Sequence, residues 1–330
     1  MIRGTDEMKI LFRGMALFTA VSGVIMYVYR ALFVHKRSIG SELAEDLIRV
    51  ANFDIQDVND EMLERNAEEN RVEYEIPKSI VRSEIESYKV SGMKIFRMSP
   101  KTEKRKQRVL YLHGGGYIHQ PSVFHWRFLS KLVKETEMEF IVPIYPKAPE
   151  YTYEEAYEAV QELYKGLIRD DNNIVIMGDS AGGGLTLGLV QWMKKEQLPM
   201  PKAQIVISPW LDITLSNPDI EAYETVEPML KPDNLKIIGK IWSGDTEPDD
   251  YKVSPMFGDL SGLPKLYLIV GTREIILPDA RKYIQLLAES GADYEYYEYA
   301  MQNHVFPLYP IKEGIEARKQ IRDILLEYDS

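Results

Sequence analysis

The chain predicts an α/β fold, with a mostly parallel central sheet flanked by helices. Three observations carry this expectation. Short apolar runs alternate with stretches of helical spacing, the signature of strands joined by crossover helices. One such run, Ile174-Val175-Ile176-Met177, leads straight into Gly178-Asp179-Ser180-Ala181-Gly182-Gly183, which reads as strand, sharp turn, helix. Another, Val109-Leu110-Tyr111-Leu112, leads into His113-Gly114-Gly115-Gly116, 67 residues before Ser180.

In chain order the candidate strands are Ile95–Met98, Val109–His113, Phe140–Tyr145, Ile174–Met177, Ile205–Ser208, Leu266–Val270 and Tyr294–Tyr299. Each is a short apolar or β-branched and aromatic run. Between them, Trp126–Glu137, Thr152–Asp170, Gly182–Glu196 and Pro278–Ser290 have helical spacing. Residues 38–75 are charged and helix-prone, and 213–252 interrupt the strand series with a second helical insertion. At 330 residues and 45% hydrophobic content, one main domain with insertions suffices. The organisation expected is an apolar N-terminal segment, 1–35, and an α/β domain over 36–330.

Composition removes several function classes. There is no cysteine, so disulfides, thiol catalysis and thiolate metal sites are excluded, and the compartment stays undetermined. A net charge of −11 argues against a nucleic-acid partner. No His-Glu-x-x-His or similar ligand cluster occurs, so neither a metal nor an organic cofactor is expected.

The chemistry follows from the two glycine clusters. A serine between glycines at a strand-to-helix turn has its hydroxyl held above the sheet, because side chains at the flanking positions would collide with neighbouring backbone. Consecutive glycines after a buried strand aim backbone N–H groups at one point, where an ester carbonyl attacked by serine develops negative charge. A P-loop does not fit, since no Lys-Ser or Lys-Thr follows the glycines. A serine alcohol needs a base. Of five histidines, His35 sits in a basic cluster and is expected to be solvated. His113 is expected to orient the glycine loop, and His119 and His125 to be ordinary surface or core residues. His304 follows the last strand in a short loop and is the candidate base. The acid should follow a strand between Ser180 and His304. Glu274, just past Leu266–Val270, is favoured; Asp279 lies where Asp is common in a first helical turn, and Asp212 fits a structural loop role.

These motifs, with Tyr145-Pro146-Lys147-Ala148-Pro149-Glu150, Ser208-Pro209-Trp210-Leu211-Asp212 and His304-Val305-Phe306, resemble those of the hormone-sensitive-lipase-like carboxylesterases of the α/β-hydrolase superfamily. The resemblance spans about 109 to 306. It implies Ser180 as nucleophile, His304 as base, and an oxyanion hole from Gly115, Gly116 and Ala181. It also implies that 38–75 and 213–252 pack together as a cap over the serine. The departure is at the acid, where the family's Gly-x-x-Asp-Pro-Leu reads Gly271-Thr272-Arg273-Glu274-Ile275-Ile276, so a longer carboxylate must be accommodated.

The expected function is hydrolysis of small, short-acyl carboxylic esters through an acyl-enzyme. An amidase or peptidase using the same triad is the first alternative. The second is a non-catalytic small-molecule-binding protein on this fold, as among plant hormone receptors similar to the family. Gly14–Tyr29 carries no charge and is flanked by Arg13 and Arg30. It is either a short membrane anchor with snorkelling arginines or a cap helix, which leaves cytoplasmic and membrane-anchored localisation both open. A homodimer is also left open.

Overall fold

The computed structural model describes residues 19–51, 58–77, 80–81, 83–102, 105–170 and 172–329. Eight strands form one sheet: β1 (Glu84–Val90), β2 (Met93–Ser99), β3 (Arg108–Leu112), β4 (Glu139–Pro143), β5 (Ile174–Asp179), β6 (Gln204–Ile207), β7 (Leu266–Gly271) and β8 (Tyr294–Tyr299). Their spatial order is β1-β2-β4-β3-β5-β6-β7-β8. From β4 through β8 every neighbouring pair is parallel, while β1–β2 and β2–β4 are antiparallel. The reversal of order around β3 and β5 puts the C-terminal ends of these two strands side by side, where an open α/β sheet has its crevice.

The alternation of the central strands explains their continuous apolar sequences. Leu110, Leu112, Ile174 and Ile176 face one layer, with α5 (Tyr153–Asp170), α6 (Ser180–Lys195) and α8 (Leu277–Ser290). Val109, Tyr111, Val175 and Met177 face the other, with α4 (Val123–Thr136) and α9 (Lys312–Glu327). Both faces are covered, so both residue sets are apolar.

Two elements were not expected from the sequence. β1 is a largely exposed edge strand, Glu-Ile-Glu-Ser-Tyr-Lys-Val, whose charges suit an edge and hide its strand character. It is joined to β2 by Ser91-Gly92, both with positive φ (48° and 80°), a two-residue hairpin turn. The C-terminal helix α9 is the other. In addition, α6 starts at Ser180 itself, and α4 begins at Val123 behind a capping box made by Ser122 and His125.

At the N-terminus, helix α1 is described from residue 19 and ends in a π-helical turn, Arg30–Val34, of which only Ala31 is buried. Residues 14–18 of the apolar run lie outside the described residues. Among the described residues no helix is long and apolar enough to cross a membrane. His35 is not simply solvated: its Nδ1 lies 2.8 Å from a Glu42 carboxylate oxygen. Helices α2 (Ile39–Val50) and α3 (Asp60–Arg71) follow, and α7 (Pro232–Ser243) belongs to the later insertion. The two pieces meet where Arg49 donates to the Val226 carbonyl (2.9 Å) and the Val58 N–H to Asn234 (3.3 Å).

Candidate active site

β5 delivers Ser180 to the end of the sheet in a backbone conformation that a side chain rarely adopts, with φ +51°. That strain costs on the order of 1–3 kcal/mol and persists because the surroundings permit nothing else. A side chain on Gly178 would strike the carbonyl of Gly182, and one on Gly182 the carbonyls of Leu112 and His113. The Ser180 carbonyl is held by the Trp210 N–H at 3.0 Å. What remains free to project is the hydroxyl.

His304 Nε2 lies 2.8 Å from Ser180 Oγ, and its Nδ1 lies 2.8 Å from Glu274 Oε2. The other oxygen of Glu274 accepts from the Gly271 N–H (2.6 Å) and the Ser208 hydroxyl (2.8 Å). The Ser208 hydroxyl oxygen in turn accepts the Val305 N–H at 3.2 Å. Ser208 thus ties the β6 end, the acid loop and the histidine loop into one unit, and this is how the longer carboxylate is seated. Burial by itself would lower the His304 imidazole. The Glu274 hydrogen bond and charge, helped by Glu227 and Asp179, outweigh it and hold His304 above its ordinary value. Asp279 lies in the first turn of α8, where burial pushes its carboxyl up to about 6. The Nδ1 partner of His304 is Glu274, and Asp212 binds its own loop through Thr214 and Ser216.

The glycine loop packs directly on the serine turn. A side chain on Gly114 would lie 3.0 Å from Ser180 Cβ, and Gly115 and Gly116 take positive φ of 120° and 60°, conformations that suit glycine. The loop is pinned by Asp179, to which the sequence alone assigns no role. Its carboxylate accepts from the Gly114 N–H (2.9 Å) and the Tyr111 hydroxyl (2.5 Å), and His125 Nε2 lies 3.1 Å from its other oxygen. Burial of Asp179 opposes ionisation, but His125 and these donors keep its carboxyl below the ordinary value. His125 is therefore part of the site's support rather than an ordinary core histidine. His119 sends its backbone N–H to the Gly115 carbonyl (2.9 Å). His113 stacks on Tyr145 (4.5 Å between centroids), and burial, aided by the charge of Lys147, pushes its imidazole well down.

The cap pieces reach the same loops. Tyr117, just after the glycines, lies between Trp210 (5.5 Å) and Trp242 of α7 (4.1 Å, parallel). From α2, Glu45 takes two bonds from Arg273, the residue before Glu274, at 2.7 and 3.0 Å. Arg37 joins Glu42, Glu45 and the Met301 carbonyl, and Ser41 donates to Gln302. No periodicity announces the links to Arg273, Met301 and Gln302, because those partners are more than 200 residues away in sequence.

Comparison with known proteins agrees with this architecture. A family model described as alpha/beta hydrolase fold matches residues 109–308. An esterase of Acinetobacter venetianus is 33% identical over 181 residues, 54% of this chain and 60% of that protein, so this chain spans about three fifths of that relative. A solved structure from Staphylococcus aureus is 35% identical with a TM-score of 0.78, covering 82% of this chain and 95% of that one. An esterase structure from the bacterial hormone-sensitive lipase family has a TM-score of 0.77 at 24% identity, covering 89% and 99%. With its serine turn, glycine loop and sheet order all of one type, the chain belongs to the α/β-hydrolase fold family.

Proposed function

We propose that the protein is a serine carboxylesterase that hydrolyses small, short-acyl esters through an acyl-enzyme. The observation that carries this is the unbroken chain Glu274–His304–Ser180, both links at 2.8 Å. His304 removes the proton of Ser180 as the oxygen attacks the ester carbonyl, and the carbonyl oxygen becomes an oxyanion facing the N–H groups of Gly115, Gly116 and Ala181. The imidazolium, stabilised by Glu274, gives its proton to the departing alcohol. Water then repeats the sequence on the acyl-serine and releases the acid. Retention of the base and the glycine loop favours an enzyme over a binding protein. Relatives named as esterases favour esters over amides.

The test is a panel of p-nitrophenyl esters of increasing acyl length. kcat/KM is expected to be highest for short chains and to fall beyond about eight carbons, since a bounded pocket gains only so much from each methylene. Chelator is expected to leave activity unchanged. A preference for long-chain triglyceride emulsions defeats the short-acyl assignment, and faster turnover of the matching anilides defeats the ester assignment.

The same reading includes attachment of the N-terminal helices to a lipid surface. Of the 18 large apolar side chains exposed among the described residues, 12 lie between Val21 and Val50. On α2 they are Ile39, Leu43, Leu47 and Val50, one helical face turned to solvent. In sequence, the charge-free run Gly14–Tyr29 extends this apolar character, while Arg30 and Lys36 supply the basic flank of an interfacial segment. Full-length protein is expected to float with anionic lipid vesicles, and Leu43→Glu with Leu47→Glu to abolish flotation while ester hydrolysis in solution persists. A dimer in solution that those substitutions dissociate, without flotation of the original protein, assigns the face to a second copy instead.

A further inference from the structure

Glu227 stands in the 213–252 insertion, far in sequence from every catalytic element, yet its side chain is buried against them. One carboxylate oxygen accepts the N–H groups of Met229 (2.8 Å) and Leu230 (3.2 Å). The other accepts the N–H of Ile275 at 3.1 Å, the residue directly after Glu274. All three of these donors are backbone N–H groups. Arg49 of α2 lines the same cavity of about 250 Å³, but its guanidinium is committed to Glu45 and the Val226 carbonyl. Glu224 and Lys231 line it from Glu227's own loop. Among the described residues, the groups that feel Glu227 include His304, Glu274 and the Tyr309 hydroxyl.

We infer that Glu227 is a positioning residue of the catalytic site, a second carboxylate that anchors the insertion to the acid loop and, when ionised, supports the positive charge formed on His304. The inference rests on the Ser180–His304–Glu274 reading and deepens it. A brace alone would need only hydrogen-bond acceptors, and an amide oxygen or a backbone carbonyl would serve. A carboxyl bonded to the loop that carries the partner of a group that becomes cationic during each half-reaction adds a charge term that is present only while it is ionised. Burial, together with the nearby Glu274 charge and against the pull of His304 and the backbone donors, pushes the Glu227 carboxyl up to about 7. Its charge is therefore mostly absent at pH 6 and mostly present at pH 8.5.

The sign of the effect follows. An anion near His304 favours the protonated imidazole, so removing it makes His304 a weaker base that frees itself of its proton at lower pH. It also makes the imidazolium of the transition state less stable. Glu227→Gln is thus expected to give a pH profile that crosses that of the original enzyme. At pH 6 the variant equals or exceeds it; at pH 8.5 kcat is lower by roughly tenfold with KM nearly unchanged. Glu227→Asp, which keeps the charge, is expected to retain the original shape of the profile. Melting temperatures of all three proteins report the bracing role separately. A ratio of activities that is the same at every pH overturns the inference and leaves a structural brace. Should Glu227→Gln fail to fold, infrared titration is read on the folded Asp279→Asn protein, which lacks the other raised carboxyl. A buried protonated carboxyl band lost near pH 7 in step with the rise of kcat supports the inference, and its absence overturns it. Failure of the underlying triad reading looks different: hydrolysis would survive Ser180→Ala.

Discussion

Ser180→Ala is expected to lower kcat for ester hydrolysis by about five to six orders of magnitude, because triad members act as a unit and removing the nucleophile removes the acyl-enzyme route. Alanine keeps the Cβ that already sits at φ +51°, so the turn is not relieved of strain and gains none. The one bond lost is that to His304, and the melting temperature is expected to change by only a few degrees. Reaction of the unmodified protein with an organophosphate, followed by peptide mass spectrometry, should place the adduct on Ser180. An adduct on any other serine, or a variant that still turns over, moves the chemistry elsewhere. Because Trp210 holds the Ser180 carbonyl whichever side chain stands there, the backbone of the turn should be unchanged in the variant.

Glu274→Gln is expected to lower kcat by about 10⁴, the scale seen when a triad acid becomes an amide. The amide can still accept from Gly271 and Ser208, so the loop should keep its shape. What it loses is the negative charge on the oxygen facing His304 Nδ1, and a donor NH₂ there would favour the wrong tautomer. Asp279→Asn is expected to cost less than threefold in kcat, since Asp279 belongs to the first turn of α8 and is not the partner of His304. Steady-state kinetics of the two variants at one pH above the His304 titration decides the matter. The reverse pattern would transfer the acid's role to Asp279.

The sequence carried most of this site because the decisive residues sit where apolar strands end. Gly178 and Gly182 are required by backbone approach, so the serine turn leaves a local mark, and Glu274 and His304 each follow a recognisable strand. Asp179 was visible but mute. Its position inside the turn says nothing of the Tyr111, Gly114 and His125 groups it gathers from other elements. Ser208 stood in a noticed motif, yet its service to Glu274 depends on β6 and β7 lying side by side. Glu227 left no trace at all, being one carboxylate among many in a polar insertion. β1 escaped for a different reason: an edge strand with water on its sides needs no apolar alternation, and only the Ser91-Gly92 pair marked the hairpin. α9 is strongly charged on its outer face, and it becomes evident only against the α4 layer it covers.

The bridge between Glu45 and Arg273 bears on how this chain could be recombined with its relatives. Both side chains are largely sequestered, and removing Glu45 takes a carboxylate from Arg273 and from Arg37 and Arg49 as well, at a cost of about 3–5 kcal/mol. Arg37, almost fully enclosed, depends on the same glutamate. A chimera that takes its first fifty residues from one parent and its body from another therefore inherits half of an ionic lock. Crossovers placed inside 37–49 should yield poorly folded hybrids unless position 273 travels with them. Crossovers upstream of Arg37 keep the lock whole and should be tolerated. For directed evolution of acyl-chain preference, the heritable unit is α2 together with the acid loop, although the sequence sets them more than 200 positions apart.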